Sequence, residues 1–154
     1  MSKPLIWIAI VIAVSMAAMG AWIFFPSPPL PENSPADFEE VTFHSCHDGD
    51  TCNFTLAGIH PLLGRKIGVR LAGIDTPEMR GKCASESRRA RQAKAFINRV
   101  LRNARHIRLL NARRGKYFRI VAEIEADGVI LNSLMIQQGL ARPYDGGKKQ
   151  GWCG

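Results

Sequence analysis

Acidic residues are in short supply in this chain of 154 residues: 13 Asp and Glu stand against 21 Lys and Arg, a formal net charge of +8. An excess of that sign points to a polyanionic partner, either nucleic acid or an acidic membrane surface. The chain is too short for a large α/β barrel enzyme or a two-domain dinucleotide enzyme. Its 46% hydrophobic content excludes wholesale disorder. No internal repeat is visible. Two local absences say more than the totals. No Lys or Arg occurs between Lys3 and Arg65, and no charge at all occurs from Leu5 to Phe25.

That uncharged run is 21 residues long, and as a helix it measures about 31 Å, the thickness of a bilayer core. With Lys3 before it and no cation after it until Arg65, the positive-inside bias leaves the N-terminus in the cytoplasm and the rest outside. Residues 1–25 are therefore expected to be a transmembrane anchor in the inner membrane, with a periplasmic or other extracytoplasmic domain. The rival is a signal peptide cut after Ala18 or Gly20, releasing a secreted protein. The anchor is favoured because the run continues through Trp22, Ile23, Phe24 and Phe25, aromatics suited to the interface. Five prolines between Pro26 and Pro35 make residues 26–36 an extended linker. The working domain is expected at 37–154.

Phe38 to His47 carries strand formers, Asp48-Gly49-Asp50 is a turn signal, and Thr51 to Leu56 alternates with Cys52, Phe54 and Leu56 on one face. Ile59 to Gly64 reads as a loop. Lys66 to Ala72 alternates again, turning Ile67, Val69 and Leu71 inward and Arg70 outward. Ser85 to Ala104 has helical spacing, with Ala90, Ala93, Phe96, Ile97, Val100 and Leu101 as its apolar stripe and Ser85 as N-cap. His106 to Leu110 and Arg119 to Ala126 are strands. Asp127-Gly128 is a turn, and Ile130 to Gln138 is a short helix ended by Gly139. The order β-β-β-α-β-β-α fits a mainly β, α+β domain: a five-stranded OB-fold barrel with helices, or a split α+β sandwich.

Residues 79–119 hold fourteen Lys or Arg and one acid, Glu86. Like charges so close on one helix repel, which sets an anionic partner beside a solvated helix face as the two readings of this segment. Against this field stand Asp48, Asp50, Asp75 and Glu78. Carboxylates at turns are commonly caps, but two on separate turns beside a backbone carbonyl suit a hard cation such as Ca²⁺. Pro77 stiffens the backbone after Asp75-Thr76. A guanidinium from Arg70, a metal-type carboxylate and a second carboxylate thus meet at one strand end, the requirement for phosphodiester cleavage.

Asp48-Gly49-Asp50-Thr51, Arg70-Leu-Ala-Gly-Ile-Asp75-Thr76-Pro77-Glu78, Lys116-Tyr117-Phe118-Arg119 and Gly139-Leu140-Ala141 together resemble the thermonuclease family, the staphylococcal nuclease-like domains, in that family's order. The resemblance implies an OB-type barrel. It implies a Ca²⁺-dependent endonuclease that hydrolyses DNA and RNA with little sequence preference to 3′-phosphates. Carried over by position, Asp50 and Asp75 give carboxylate oxygens and Thr76 its carbonyl to Ca²⁺, with Asp48 behind them. Glu78 is the general base, Arg70 and Arg119 hold the scissile phosphate, and Lys116 and Tyr117 contact a nucleotide phosphate. Tyr144 lies near the base-stacking tyrosines. Phe118 departs from the pattern, standing where a glycine usually precedes the arginine, and would strain the loop if that position has positive φ. The alternative function on the same fold is a non-catalytic nucleic-acid-binding module of an envelope machine.

Four cysteines in an extracytoplasmic domain suggest two disulfides. Cys46 and Cys52 flank the Asp48–Asp50 turn symmetrically, which leaves Cys83 and Cys153 to tie the Gly-rich tail to the start of the basic helix. Other pairings, or a zinc site from His44, Cys46, His47 and Cys52, are the alternatives.

Overall fold

The computed structural model describes residues 36–153. The expected membrane helix at 1–25, and the linker up to residue 35, lie outside the described residues. Among the described residues no helix is long and apolar enough to cross a membrane.

The elements are β1 (Ala36–Phe38), β2 (Val41–Cys46), β3 (Thr51–Leu56), α1 (Pro61–Gly64), β4 (Ile67–Leu71), β5 (Ile74–Asp75), α2 (Ala84–Asn103), β6 (Ile107–Arg114), β7 (Ile120–Ala126), β8 (Val129–Ile130), α3 (Leu131–Gln137) and β9 (Arg142–Pro143). The main sheet runs β1-β6-β7-β4-β3-β2, with β8 added to β7, and β5 pairs β9 in a separate ribbon. All pairs are antiparallel except β4 with β7. This is an OB-like α+β architecture. The five strands expected from sequence are its centre, β2-β3-β4 and β6-β7, and the short strands β1, β5, β8 and β9 are additions. β1 already begins at Ala36, one residue inside the expected linker.

The alternation that defines the strands also builds the core. Cys52, Phe54 and Leu56 of β3, Val69 and Leu71 of β4, and Ala122, Ile124 and Ala126 of β7 are buried. Ala93, Ile97 and Leu101 of α2 pack into the same cluster, with Phe96 and Val100 at its margin, and Ala90 is buried as well. Burying each larger side chain of this set contributes roughly 1.5–3 kcal/mol.

The strand expected over Phe38 to His47 is broken between β1 and β2, β7 begins after Arg119, and three further differences from the sequence expectation have a local reason. α2 starts at Ala84, with Cys83 as N-cap, so Ser85 lies in the first turn and does not cap it. No side chain caps the helix; the Glu86 carboxylate, at the third helical position, accepts the Lys82 N–H just ahead of the N-cap at 2.7 Å and ties the entering chain to the first turn. β6 runs on to Arg114 because Asn111 takes φ 53° in a bulge and the strand resumes after it. The Ile59–Gly64 loop holds the single turn α1, whose first N–H groups include one accepted by His60 Nδ1. Gly139 closes α3 as expected: its N–H reaches the Ile136 carbonyl and that of Leu140 the Met135 carbonyl, with φ 66° at the glycine.

Candidate active site

The β2–β3 turn is held from four sides. Cys46 and Cys52 face each other across the pair and are disulfide-bonded, so the neck of the turn is covalently closed. Asp48 Oδ1 accepts the Asp50 N–H at 3.0 Å, a local Asx turn. The Leu71 N–H donates to the Asp50 carbonyl at 2.8 Å, fixing the turn against β4. Gly49 allows the fourth contact: a Cβ there would lie 2.8 Å from Ala93 Cβ and 3.0 Å from Thr76 Cβ. The motif glycine is required by the approach of α2 and the Thr76 loop.

These constraints aim the Asp50 carboxylate inward, where it is 3% exposed. Its Oδ1 takes a salt bridge from Arg70 Nη1 and a hydrogen bond from Thr51 Oγ1 at 3.1 Å. Its Oδ2 accepts the Thr76 N–H at 3.3 Å. Burial pushes this carboxyl up to about 6, against the opposing pull of Arg70. Arg70 is held at its other end by the Ile74 carbonyl, 3.2 Å from Nη2. The segment Ala72–Asp75 is pinned in turn by Asn132 of α3, a buried residue whose Nδ2 donates to the Ala72 carbonyl at 2.7 Å and whose Oδ1 accepts the Ile124 N–H.

Asp75 is buried at the end of β5. Trp152 Nε1 donates to its Oδ2 at 3.2 Å. Lys149 Nζ is 2.8 Å from its Oδ1 and 2.8 Å from Glu78 Oε1. The contact with Asp75 is close enough for an ion pair, but its direction leaves Oδ1 without a hydrogen bond. Burial opposes the charge on Lys149, yet the two carboxylates outweigh it and hold its pKa above the ordinary lysine value. Glu78 itself is exposed.

Arg119 stands just before β7, at the end of the turn that starts at Lys116. The Arg119 N–H donates to the Lys116 carbonyl at 3.3 Å, and both central residues have positive φ, 56° at Tyr117 and 60° at Phe118. That backbone is the pattern of a type I′ hairpin turn, which favours Asn-Gly. The position where the family pattern has glycine is thus left-handed here and carries a phenylalanine. The Arg119 side chain folds back over Gly68 of β4, whose absent Cβ would be 3.4 Å from Arg119 Cγ.

Asp48, Asp50, Arg70, Thr76, Glu78, Arg119 and Tyr144 line one cleft of about 340 Å³, together with Thr51 and Lys149. Asp75 lies at its edge, lining a neighbouring cleft that shares Tyr144. Lys116 and Tyr117 do not join the cleft: they are exposed on the Lys116–Arg119 turn beside it. Tyr144 faces the cleft with its hydroxyl donated to the Gly147 carbonyl. Lys149 and Trp152 were not singled out from sequence. Neither sits in a spacing pattern, and only Cys153, through its bond to Cys83, could have signalled that the tail returns to the site. The two disulfides use all four cysteines, which removes the zinc alternative at Cys46 and Cys52.

The donor set suits a hard divalent cation. It offers buried carboxylates from two different turns, and one of their oxygens, Asp75 Oδ1, meets only the Lys149 ammonium among the described residues. A family model described as staphylococcal nuclease homologue matches residues 68–151, from β4 to the tail that carries Lys149.

Proposed function

Because the chain belongs to the staphylococcal nuclease homologue family, we propose that it is a Ca²⁺-dependent endonuclease hydrolysing DNA or RNA with little sequence preference. The observation that carries this reading is the convergence of two guanidinium groups and three carboxylates on one cleft. Arg70 and Arg119 present planar, multidentate donors to the phosphate oxygens, a geometry an ammonium does not reproduce. Their charge opposes the negative charge that builds as phosphorus becomes five-coordinate. Glu78, exposed at the cleft, accepts a proton from the attacking water. The water oxygen bonds to phosphorus as the P–O5′ bond breaks, and the departing O5′ takes a proton from solvent, leaving a 3′-phosphate and a 5′-hydroxyl. Asp50, Asp75 and the Thr76 carbonyl would hold Ca²⁺, which when bound withdraws electron density from a phosphate oxygen. Asp48 orders the turn that carries Asp50. In this reading Tyr144 stacks on a base, and Lys116 and Tyr117 meet a flanking phosphate from the adjacent turn.

The two disulfides support an oxidising, extracytoplasmic location for the domain, in keeping with an N-terminal membrane anchor or a cleaved signal. The second reading, a non-catalytic nucleic-acid-binding module, is favoured by one observation: Lys149 pairs with both Asp75 and Glu78. The full chain incubated with single- and double-stranded DNA, in calcium or in chelator, separates the two. Calcium-dependent degradation that disappears in Glu78→Gln and Arg119→Ala is expected. Salt-sensitive binding without cleavage in either buffer would move the assignment to the second reading.

A further inference from the structure

α2 carries six cations, Arg88, Arg89, Arg91, Lys94, Arg99 and Arg102, and none of them pairs with a carboxylate among the described residues. Its one acid, Glu86, is buried and committed to the Lys82 N–H. Six like charges on one helix destabilise it unless a partner supplies the countercharge. Four of them, Arg91, Lys94, Arg99 and Arg102, line a groove of about 930 Å³ between α2 and the end of β2. No carboxylate lines it.

The groove has built walls. Asn98 of α2 accepts the Cys46 N–H at 3.2 Å and donates to the Lys94 carbonyl at 2.8 Å, fastening the helix to β2 at the disulfide. The groove also adjoins the catalytic cleft through two pairs of chain neighbours. His47 and Met79 line the groove, while Asp48 and Glu78 line the cleft. A polyanion lying along α2 therefore leads to the carboxylates and arginines of the cleft. From Arg91 to Arg102 the helix rises about 16 Å, enough to follow several consecutive phosphates.

We infer that this groove is a second nucleic-acid site, which holds the backbone of a single strand outside the catalytic cleft and feeds it to the scissile position. The inference rests on the nuclease reading for the feeding step, but not for binding. A strand-tracking role needs cations in a row along the backbone path, and Arg91, Lys94, Arg99 and Arg102 supply them, with Ser45, Asn53 and Asn103 offering polar groups beside them. It makes the protein one that grips polymers and cuts them at a site beside the grip.

The test uses the full chain and the triple variant Arg91→Gln, Lys94→Gln, Arg102→Gln, with Arg91→Lys, Arg102→Lys as the charge-preserving control. Binding of a labelled single-stranded DNA of about 30 nucleotides is measured by anisotropy in chelator across a salt series. The triple variant is expected to bind at least about tenfold more weakly, with the salt slope reduced by about 2, while the lysine variant binds as the parent does. In calcium, cleavage of the long strand should slow while cleavage of a substrate of about four nucleotides does not. Unchanged affinity and salt slope in the triple variant would overturn the site. So would equal slowing on long and short substrates. A parent chain that binds through these residues but never cleaves sinks the nuclease reading alone.

Discussion

Lys149 places an ammonium on the same buried oxygen, Asp75 Oδ1, that the nuclease reading assigns to the metal. A divalent cation must displace it, and the desolvated carboxylate gives that competition weight. Lys149→Gln is therefore expected to tighten calcium binding, by several-fold to about tenfold, as read by titration calorimetry on the full chain. Unchanged or weaker binding would mean that Lys149 serves only to hold Asp75 and Glu78 in place. The contrast between Lys149 and Arg70 shows what sequence discloses at this scale. Arg70 was legible because strand alternation turns it away from Val69 and Leu71 and toward the acid-bearing turns. Lys149 sits in an irregular tail, where no periodicity tells a reader which way a side chain points. Gly49 was legible as a turn residue, but its contact with Ala93 and Thr76 depends on a packing partner more than forty residues away.

Among the elements, the Lys116–Arg119 turn carries the clearest tension. Two aromatic residues hold left-handed backbone that a glycine adopts freely. Part of the cost is offset by Arg114 over the Phe118 ring at 4.8 Å and Arg119 over the Tyr117 ring at 5.7 Å. Phe118→Gly should stabilise the domain by about 1 kcal/mol in denaturant titration. A loss of stability would show that the ring contacts outweigh the strain. A second turn offers a pH test. Asp127 accepts the His106 N–H at 2.9 Å and the Arg105 N–H at 3.1 Å, tying the β7–β8 turn to the α2–β6 connection. Those hydrogen bonds, that from His106 first, hold its pKa below the usual aspartate value. A carboxyl depressed in the folded state binds its proton more readily when unfolded, so its contribution is present above the unfolded pKa near 4 and is lost as pH falls through the lower folded value. Melting in the parent should fall more steeply with acidification below pH 4 than in Asp127→Asn, which keeps an acceptor and tolerates the left-handed φ of 48°. Equal acid sensitivity would remove Asp127 from the account. The elements themselves were readable wherever apolar spacing ran unbroken, as in α2 and β7. They were misread where a single residue interrupts it, as at Asn111, or where the helix starts without a side-chain cap, as at Cys83.

At the scale of the whole molecule, the charge is divided. A groove lined by four cations and no carboxylate adjoins a cleft where three carboxylates face three cations, and the net figure of +8 hides both. The chain's tail closes this arrangement. Cys83 begins α2 and Cys153 ends the described chain, and their bond spans a sequence separation of 70. Within that loop Trp152, 5% exposed, stacks against the Arg142 guanidinium at 4.0 Å and donates to Asp75, and Lys149 bridges the carboxylates. Hydrogen bonds and one stacked ring hold the tail weakly on their own, because a Gly-rich segment recovers much backbone entropy on release. The disulfide removes most of that gain from the unfolded chain, an effect of at most about 4 kcal/mol for a loop of this length. Replacing both cysteines, Cys83→Ser with Cys153→Ser, is therefore expected to lower Tm by on the order of 10 °C. It should also open the tail after Tyr144 to limited proteolysis while far-ultraviolet dichroism of the sheet stays unchanged. Removing Cys46 and Cys52 instead opens a loop of separation 6, so the entropic share lost is smaller, about 2 kcal/mol, and the damage should fall on the geometry of Asp50. If the Cys83–Cys153 variant melts as the parent does and its tail resists protease, then Trp152 and Lys149 suffice to hold the tail. The cleft would then keep its shape in a reducing compartment as well as an oxidising one.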